Sequence, residues 1–367
     1  MDFTPTPGQS DAQQLARQVL TDRCSNARQQ ELEAGGDRFD RELWTELGGL
    51  GLLGLPLPEQ HGGAGLCVLE MVTLLTEAGR VVAPVPLATH LAAAVTVAEH
   101  GDESQRATWL ADAASGEALL ATALAEDLVV APEHPTTTAR REAEGWSLEG
   151  AKTTVPAGPV AGLFLVPAAT DDGVRVFLVH PDDAGVTVQP QRLSDGDVAG
   201  RLAMDGVRLG DDRVLGEGAA HRLVQLATLA DCAWQLGVCE GALQLTASYA
   251  KTREQFGRPI GTFQAVSQRL ADAYIDVHGL RLTTTHAAWR LAEGLPADVE
   301  LATAALWSAD TGHKVAHTTV HVHGGVGIDL DGEAHRFFTA AKRTELSAGG
   351  ATVHARAVGR ALAVEPA

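Results

Sequence analysis

Apolar residues recur with helical spacing along roughly the first third of the chain. Segments such as DRFDRELWTELGGLGLLGLP, CVLEMVTLLTEAGRVV and THLAAAVTVAEHG carry apolar positions at i, i+3 and i+4, which predicts amphipathic helices. The segment DESQRATWLADAASGE predicts another helix, which its first aspartate caps. We therefore expect an N-terminal helical domain over residues 1–120.

The pattern changes between residues 121 and 216. TTTARREAEGWSLEGAKTTV and LFLVPAATDDGVRVFLVHPDDAGVTVQPQ contain short β-rich runs separated by Gly, Asp and Pro turns. The DDG between two apolar runs predicts a hairpin. We expect a middle domain of antiparallel strands, arranged as a barrel or sandwich.

Long helical patterns return over residues 217–367. They are HRLVQLATLADCAWQLGVCEGALQLTASYAKTR, FQAVSQRLADAYIDVHGLRLTTTHAAWRLAEG, DVELATAALWSADTGHKVAHTTVHVHG and HRFFTAAKRTELSAGGATVHARAVGRALA. Four long helices with short links predict a helical bundle, in which Gly349 could break the last helix. The predicted fold class is α+β, in the order helical domain, β domain, four-helix bundle.

Composition narrows the class of protein further. The net charge of the 367 residues is −19 and no Lys/Arg cluster stands out, which argues against nucleic acid and anionic membranes as partners. No apolar run reaches the roughly 18 residues of a membrane span, and the N-terminus does not resemble a secretory signal. The four cysteines are scattered, and the spacing of Cys232 and Cys239 on one helix face fits packing. We expect a reduced, cytoplasmic protein.

The segment REQFGRPIGTFQ interrupts an otherwise continuous helical pattern. One interpretation is a tight corner between two helices, because glycines allow positive φ and proline presets φ. The other is a corner that presents Arg253, Phe256 and Gln264 to a ligand. The spacing alone leaves both open.

These segments together resemble the acyl-CoA dehydrogenase family over nearly the whole chain. The resemblance rests on YAKTREQFGRPIGTFQAVSQRLAD, VHVHGGVG, PEQHGGAGL and GWSLEGAKTTV, and on the order of the three domains. It implies that family's fold, FAD as the cofactor and the α,β-dehydrogenation of an acyl-CoA thioester. In that reaction a glutamate removes the α-proton while the flavin accepts the β-hydride.

The resemblance also implies which residues contact FAD. In the family the corner arginine contacts the pyrophosphate of a FAD that the neighbouring subunit mainly holds, and the phenylalanine and glutamine line the adenosine end. The glycines of HGGVG let the backbone approach the dinucleotide. The implied cofactor-binding residues are Arg253, Phe256, Gln264, His321, Gly324, Gly325 and Gly327.

The family's catalytic glutamate has no counterpart at either of its usual positions. Ungapped counting from Gly324 places one position at Ala348, and counting from Gly237 places the other at Ala227. Asp231 follows Ala227 by four residues on the same helix face, so it is either a displaced base or an ordinary solvated or paired aspartate. The catalytic base therefore stays unassigned.

Two segments that would hold this chain's own flavin ring depart from the family. The family's loop T-E-P-x-x-G-S-D, which contacts flavin and substrate, corresponds here to LAEDLVVAPEHP. This segment keeps Glu126 but lacks the Gly-Ser-Asp. K-x-W-I-T appears as KTTVP, with Thr154 for the tryptophan and Pro156 for the threonine. Pro156 has neither an N–H nor a hydroxyl to offer the flavin. This asymmetry suggests a subunit that completes a neighbour's site.

A metal site is not expected. His313 and His317 are four residues apart, which is a zinc-binding spacing, but no glutamate accompanies them as in HExxH. His321 and His323 are two apart and lie on different faces of a helix.

Three functions remain open at this point. The first is the non-catalytic subunit of a heteromeric FAD-dependent acyl-CoA dehydrogenase, paired with a second acyl-CoA dehydrogenase-like chain in a heterotetramer. In the family such complexes often handle bulky acyl-CoA thioesters such as steroid side-chain intermediates. The second is a homo-oligomeric flavoenzyme with a relocated base. The third is a scaffold that binds neither flavin nor thioester.

Overall fold

The chain folds into a helical segment, a β segment and a second helical segment, in that order. The computed structural model describes residues 7–36, 38–128, 131–347 and 349–364. In these ranges the helices are α1 (Pro7–Arg23), α2 (Asn26–Gly35), α3 (Arg41–Gly49), α4 (Val68–Arg80), α5 (Leu87–His100), α6 (Glu103–Ser115), α7 (Ala219–Thr252), α8 (Gln264–Ala292), α9 (Asp298–His323), α10 (Ala334–Ser347) and α11 (Gly350–Val364). The strands are β1 (Leu120–Thr122), β2 (Thr138–Glu142), β3 (Gly145–Pro156), β4 (Leu163–Thr170), β5 (Gly173–Val179), β6 (Val186–Arg192), β7 (Val198–Leu209), β8 (Glu254–Gln255) and β9 (Arg258–Pro259). The predicted order of helices, strands and bundle is confirmed.

The described residues fall into two compact units that are discontinuous in sequence. Those within 1–31, 68–83 and 231–367 form the bundle unit, and those within 32–67 and 84–230 form the sheet unit. Helix α7 runs through the boundary between them. The domain boundaries after residues 120 and 216 remain a prediction.

The sheet unit contains a seven-stranded sheet in the order β1-β4-β2-β3-β7-β6, with β5 paired to β4. Strands β4 and β5 supply its apolar core, in which Phe164 and Phe177 are fully buried. They form the hairpin that the sequence predicted, because Thr170 pairs with Gly173 across the Asp171–Asp172 turn. A two-residue turn of this kind fixes the register of both strands.

The prediction of an antiparallel sheet is wrong for two of the pairings. Strand β1 pairs with β4 in parallel, as does β2 through Thr138 and Ala169. A parallel pair needs a long crossover connection, and here the chain between β1 and β4 supplies it. The hydrophobic pattern within a strand shows which face is buried but not the direction of its neighbour.

The bundle unit combines α1 and α4 with the later helices. Helices α4 and α7 touch backbone to backbone at Gly79 and Gly237. A Cβ at Gly79 would lie 2.2 Å from the Trp234 carbonyl oxygen, and one at Gly237 would lie 2.0 Å from that of Thr76. Only glycine fits at both positions, so this contact fixes α7 against α4.

The fourth predicted bundle helix is two helices. Helix α10 ends at Ser347 and α11 begins at Gly350. Gly349 has φ 93° and Gly350 has φ 74°, values that glycine adopts readily and that end a right-handed helix. The predicted break at Gly349 is confirmed, while Ala348 lies outside the described residues.

Two smaller predictions also have answers. Asp102 caps α6 in a capping box, since its carboxylate accepts a 2.8 Å bond from the Gln105 N–H and Gln105 Oε1 accepts one from the Asp102 N–H.

Cys232 and Cys239 are buried on α7, and burial raises the pKa of both thiols. In the described part of the chain, no helix is both long enough and apolar enough to cross a membrane.

Candidate functional site

The corner between α7 and α8 is a miniature hairpin. Strands β8 and β9 pair antiparallel around a two-residue turn, Phe256–Gly257, whose φ values are 55° and 76°. Turns with two positive φ values match the twist of a hairpin, and glycine suits them, but a phenylalanine at positive φ is uncommon. The consequence is a Phe256 ring that is 93% exposed.

Local contacts hold this corner rigid. The Arg253 N–H donates to the Tyr249 carbonyl at 2.8 Å, and the Ile260 N–H donates to the Arg253 carbonyl at 2.8 Å. The Phe263 ring packs edge-on against Phe256, with 6.1 Å between centroids, and the Arg258 guanidinium lies 4.3 Å above Phe263. The tight-corner interpretation therefore describes the backbone correctly.

A tight corner does not by itself account for the side chains it exposes. Arg253, Phe256 and Gln264 all face solvent in the bundle unit. Gln264 is the first residue of α8, and Phe263 before it provides no side-chain cap. The N–H groups of a helix's first turn are donors that favour an anion. Exposed Arg253 adds a guanidinium, so the corner suits an anionic ligand.

The HGGVG segment ends α9 and continues as a short 3-10 helix, Gly324–Ile328. Two of its glycines have internal explanations: Gly324 has φ 64°, and a Cβ at Gly327 would lie 2.9 Å from the Val320 carbonyl oxygen. Gly325 does not have a positive φ, and a Cβ built there meets none of the described atoms within 4 Å. Gly325 is therefore the position whose missing side chain best fits the close approach of a ligand.

The structure brings the corner and the HGGVG segment to the same end of the bundle unit. The Tyr249 ring on α7 stacks on the His323 ring on α9, with centroids 4.3 Å apart. One turn earlier, Thr246 Oγ1 lies 3.2 Å from Thr319 Oγ1. The corner starts four residues after Tyr249, and Gly324 directly follows His323. No motif in the sequence indicates this stacking contact.

We call this end the corner surface. Its members are the residues that the sequence proposed for FAD: Arg253, Phe256, Gln264, His321, Gly324, Gly325 and Gly327. All but Gly327 are exposed. Next to the glycines, Val326, Ile328 and Leu330 are 52%, 67% and 72% exposed. A group of exposed apolar side chains on one end of a unit is typical of a binding surface.

In the sheet unit, Glu126 is fully engaged in a buried ion pair. Lys152 Nζ lies 2.7 Å from Glu126 Oε1, and neither side chain is more than 2% exposed. Thr136 and Thr137 each donate to the carboxylate through a backbone N–H and a hydroxyl. Burial opposes ionisation, but the hydrogen bonds from Lys152 and both threonines outweigh it and lower the pKa of Glu126 to about 2. Glu126 is therefore a structural carboxylate.

The segment that would hold this chain's own flavin ring fits FAD poorly. Thr154 has φ 46°, and its N–H donates to Gln191 Oε1 at 3.1 Å. Pro156 has no N–H and pairs with Ala199 in the ladder between β3 and β7. Val129 and Val130, which belong to the altered flavin loop, lie outside the described residues. Neither Thr154 nor Pro156 therefore has a free backbone N–H that could donate a hydrogen bond to a flavin ring.

Asp231, the candidate for a displaced base, contacts the end of α10. Ser347 Oγ donates to Asp231 Oδ2 at 2.7 Å. Burial raises the pKa of Asp231, while the Ser347 hydrogen bond and the charge of Arg343 oppose that change. Ser347 directly precedes Ala348, one of the two family positions for the glutamate. This hydrogen bond therefore connects α7, which carries Ala227 and Asp231, to the end of α10, which directly precedes Ala348.

His313 and His317 of α9 belong to a polar cluster with Lys342 and Glu345. His313 Nδ1 lies 3.1 Å from Glu345 Oε1 and 3.0 Å from Lys342 Nζ, and the His313 and His317 rings are 4.5 Å apart. Across the described ranges, no group of three His, Cys, Asp or Glu side chains has an arrangement that could hold a metal ion.

Comparisons with known proteins agree with this architecture. Residues 6–117 match the family model "Acyl-CoA dehydrogenase, N-terminal domain", and residues 218–363 match "Acyl-CoA dehydrogenase, C-terminal domain". The chain therefore belongs to the acyl-CoA dehydrogenase family, whose members are FAD-dependent oxidoreductases. The resemblance that the sequence motifs indicated is confirmed, as is the cofactor it implied.

Similar relatives include an acyl-CoA dehydrogenase and a chain from the crystal structure of a complex. Acyl-CoA dehydrogenase FadE27 of Mycobacterium tuberculosis is 46% identical over the full length of both chains. A chain in the crystal structure of the ChsE4-ChsE5 complex from the same organism is also 46% identical, with a TM-score of 0.96 and full coverage of both chains. A chain of the Tcur3481-Tcur3483 steroid ACAD G363A variant is 41% identical, with a TM-score of 0.93 and coverage of 97% and 98%.

Proposed function

We propose that this chain is the non-catalytic subunit of a heteromeric FAD-dependent acyl-CoA dehydrogenase and completes the FAD site of a partner chain. One observation carries the proposal: the exposed corner surface is intact, while Thr154 and Pro156 leave the chain's own flavin segment without free backbone donors. The similarity to a chain of the ChsE4-ChsE5 complex supports a heteromeric assembly.

The corner surface would bind the dinucleotide part of the partner's FAD. The Arg253 guanidinium suits a diphosphate, because its planar fork donates two hydrogen bonds to neighbouring anionic oxygens. Phe256 offers a rigid ring for the adenosine end, and Gln264 offers an amide beside it. The backbone at Gly325 is free of side-chain obstruction. FAD, when bound, supplies the acceptor for the hydride from the β-carbon.

The partner would supply the base for the α-proton. Ala227 cannot accept a proton, and the other family position is the alanine after Ser347. General-base help is worth about 10²–10⁴-fold in rate, so a site without it is nearly inactive. The similarity to the Tcur3481-Tcur3483 steroid ACAD supports a bulky acyl-CoA thioester as the substrate of the complex.

The test is to purify the chain alone and together with a candidate partner dehydrogenase that carries the glutamate. We expect the lone chain to be colourless and inactive, and the complex to contain flavin and dehydrogenate an acyl-CoA with an artificial electron acceptor. A colourless chain that assembles with no dehydrogenase partner would instead favour a scaffold.

A pair of glycine substitutions makes the test specific to the corner surface. Gly325→Ala adds a methyl group where the structure leaves open space, so we expect lower FAD content in the complex with an unchanged unfolding temperature. Gly359→Ala is the matched control, because Gly359 is exposed on α11 with equally open space. Equal FAD content in the two variants would count against the assigned role of Gly325.

The contact between Asp231 and Ser347 supports a second candidate function. A half-buried carboxylate with a raised pKa, beside the segment where the family places its base, is what a relocated base requires. In that case the chain is a homo-oligomeric flavoenzyme that acts on an unusual acyl thioester. A yellow and active lone chain, inactivated by Asp231→Asn, would establish this function and exclude the first.

A further inference from the structure

Helix α8 has an apolar face toward the bundle unit and a second one toward solvent. The inner face is buried and consists of Ala273, Val277, Leu280, Thr284, Ala287, Ala288 and Leu291. The second face, which we call the outer stripe, consists of Ala271, Ile275, His278, Leu282, Thr285 and Trp289. Ile275 and Leu282 are 64% and 66% exposed, and Tyr274 beside them is 58% exposed. Exposed apolar side chains gathered on one face of a helix are typical of a surface that another protein covers.

The outer stripe has the spacing of a coiled-coil seam. Its members follow one another at alternating intervals of four and three residues, from Ala271 to Trp289. This spacing keeps the side chains in one line along a helix that pairs with another helix, whereas a helix on a globular core usually has a wider apolar face. At 1.5 Å per residue the stripe is about 27 Å long. The occupant that it suits is therefore a second helix of similar length.

A second copy of α8, running in the opposite direction, matches the outer stripe along its whole length. In this register the facing pairs are Ala271 with Trp289, Ile275 with Thr285, and His278 with Leu282. The largest side chain of the stripe thus faces the smallest, which fills the layers between the helices evenly. A parallel pair would instead place Trp289 opposite Trp289 and Ala271 opposite Ala271. The stripe is therefore complementary to itself in the antiparallel direction.

The polar residues beside the stripe also favour the antiparallel pair. In the same register, Asp272 lies next to the second copy's His286. An imidazole N–H donates to a carboxylate in either protonation state, so this pair is favourable with or without a charge on the ring. Arg281 comes close to its own copy at the two-fold axis, but the Glu240 carboxylate contacts its guanidinium and compensates the charge. Because the axis relates the two copies, each favourable pair forms twice.

We propose that α8 binds α8 of a second copy of this chain as an antiparallel pair, with the two-fold axis between His278 and Leu282. The contact uses none of the corner-surface residues and does not depend on the heteromeric function. In a heteromeric assembly it joins two copies of this chain, whereas the FAD contact proposed above joins this chain to a different one.

Disulfide cross-linking tests the direction and the register of the pair. Ile275→Cys and Thr285→Cys, introduced together, bring cysteines of the two copies opposite each other. Within one helix these positions are about 15 Å apart, well beyond the roughly 4.4–6.8 Å between the Cα atoms of a disulfide, so the bond must join two copies. Mild oxidation of the double variant, in the assembly in which it purifies, should give a covalent dimer with twice the 38.3 kDa mass of the chain.

Either single-cysteine variant is the matched control. In the antiparallel pair, a lone cysteine lies about 15 Å along the helix from its own copy, so it should give no more dimer than the unmodified protein. A single variant that cross-links as readily as the double variant would indicate a parallel pair and overturn the proposal.

Leu282→Glu gives a second measurement, and Ile275→Glu replaces it should that variant not fold. The charge would be buried in the seam, so the dissociation constant of the contact should rise at least about tenfold in sedimentation velocity. Leu66→Glu, at an exposed leucine of the sheet unit, should leave the mass of the assembly unchanged. FAD content reports on the corner surface separately, and it should be the same in both variants.

The proposal is overturned if Leu282→Glu leaves the mass of the assembly unchanged. It is equally overturned if Leu282→Glu lowers the mass but the double-cysteine variant forms no dimer, because a different chain then covers the outer stripe.

Discussion

His90 should make the stability of the sheet unit depend on pH. Its ring is fully buried between two backbone groups: Nε2 donates to the Ala113 carbonyl at 3.1 Å, and Nδ1 accepts from the Leu120 N–H at 3.2 Å. The Trp44 ring packs edge-on against it at 4.9 Å. Both ring nitrogens are satisfied only when the imidazole is neutral, because an added proton on Nδ1 would face the Leu120 N–H.

The size of the effect follows from the pKa of the buried ring. Burial lowers the pKa of His90 from 6.5 to about 4, although the hydrogen bond to Ala113 opposes the change. Between pH 6.5 and about 4, His90 binds a proton in the unfolded chain but stays neutral in the folded chain. The contribution of His90 to stability is therefore complete above pH 6.5 and is lost as pH falls toward 4. The difference in pKa corresponds to about 3 kcal/mol of unfolding free energy.

His90→Gln isolates this contribution, because a glutamine amide can donate to Ala113 and accept from Leu120 but does not titrate. Urea unfolding of both proteins between pH 8 and pH 4 gives the difference in unfolding free energy at each pH. Carboxylates titrate alike in both proteins and cancel in that difference. We expect the unmodified protein to lose about 3 kcal/mol relative to His90→Gln over this range. A difference that stays constant with pH would refute the reasoning.

Three further predictions concern buried charge and the FAD site. Lys152→Met should lower the unfolding free energy by about 3–5 kcal/mol, because it leaves the charge of Glu126 buried without its cation, and adding Glu126→Gln should restore part of the loss in urea unfolding, because the neutral amide oxygen still accepts from the threonines. Arg253→Ala should weaken FAD binding by the assembled complex about ten- to hundred-fold in a flavin titration, whereas Arg208→Ala, at an exposed arginine of β7, should have no effect. Asp231→Asn should change the turnover rate of the complex by less than about twofold, and a loss of about a hundredfold or more would identify Asp231 as the base.

The order of helices and strands could be predicted from the sequence because it depends on local pattern. The spacing of apolar residues predicted the helices, and the DDG turn predicted the β4–β5 hairpin. Gly349 predicted the break between α10 and α11. The parallel pairing of β1 with β4 could not be predicted, because it joins residues about 40 positions apart whose own patterns are the same in either direction.

The candidate site was predictable only where a motif marked it. The corner and the HGGVG segment carry recognisable motifs, but the Tyr249–His323 stack that brings them together depends on the packing of α7 against α9. The buried pair of Glu126 and Lys152 was missed. A lysine within the alternating pattern of β3 was the available signal, since a lysine rarely lies inside a sheet without a carboxylate partner.

The exposed apolar side chains in and next to the corner surface have a consequence for the production of the protein. Phe256, Val326, Ile328 and Leu330 are each more than half exposed in the isolated chain. Exposed apolar groups of this kind cause aggregation when nothing covers them. Chains synthesised in excess of whatever covers this surface would accumulate as insoluble or degraded material. Under the proposed heteromeric function, balanced synthesis of this chain and its partner would be a condition for a good yield in any expression host.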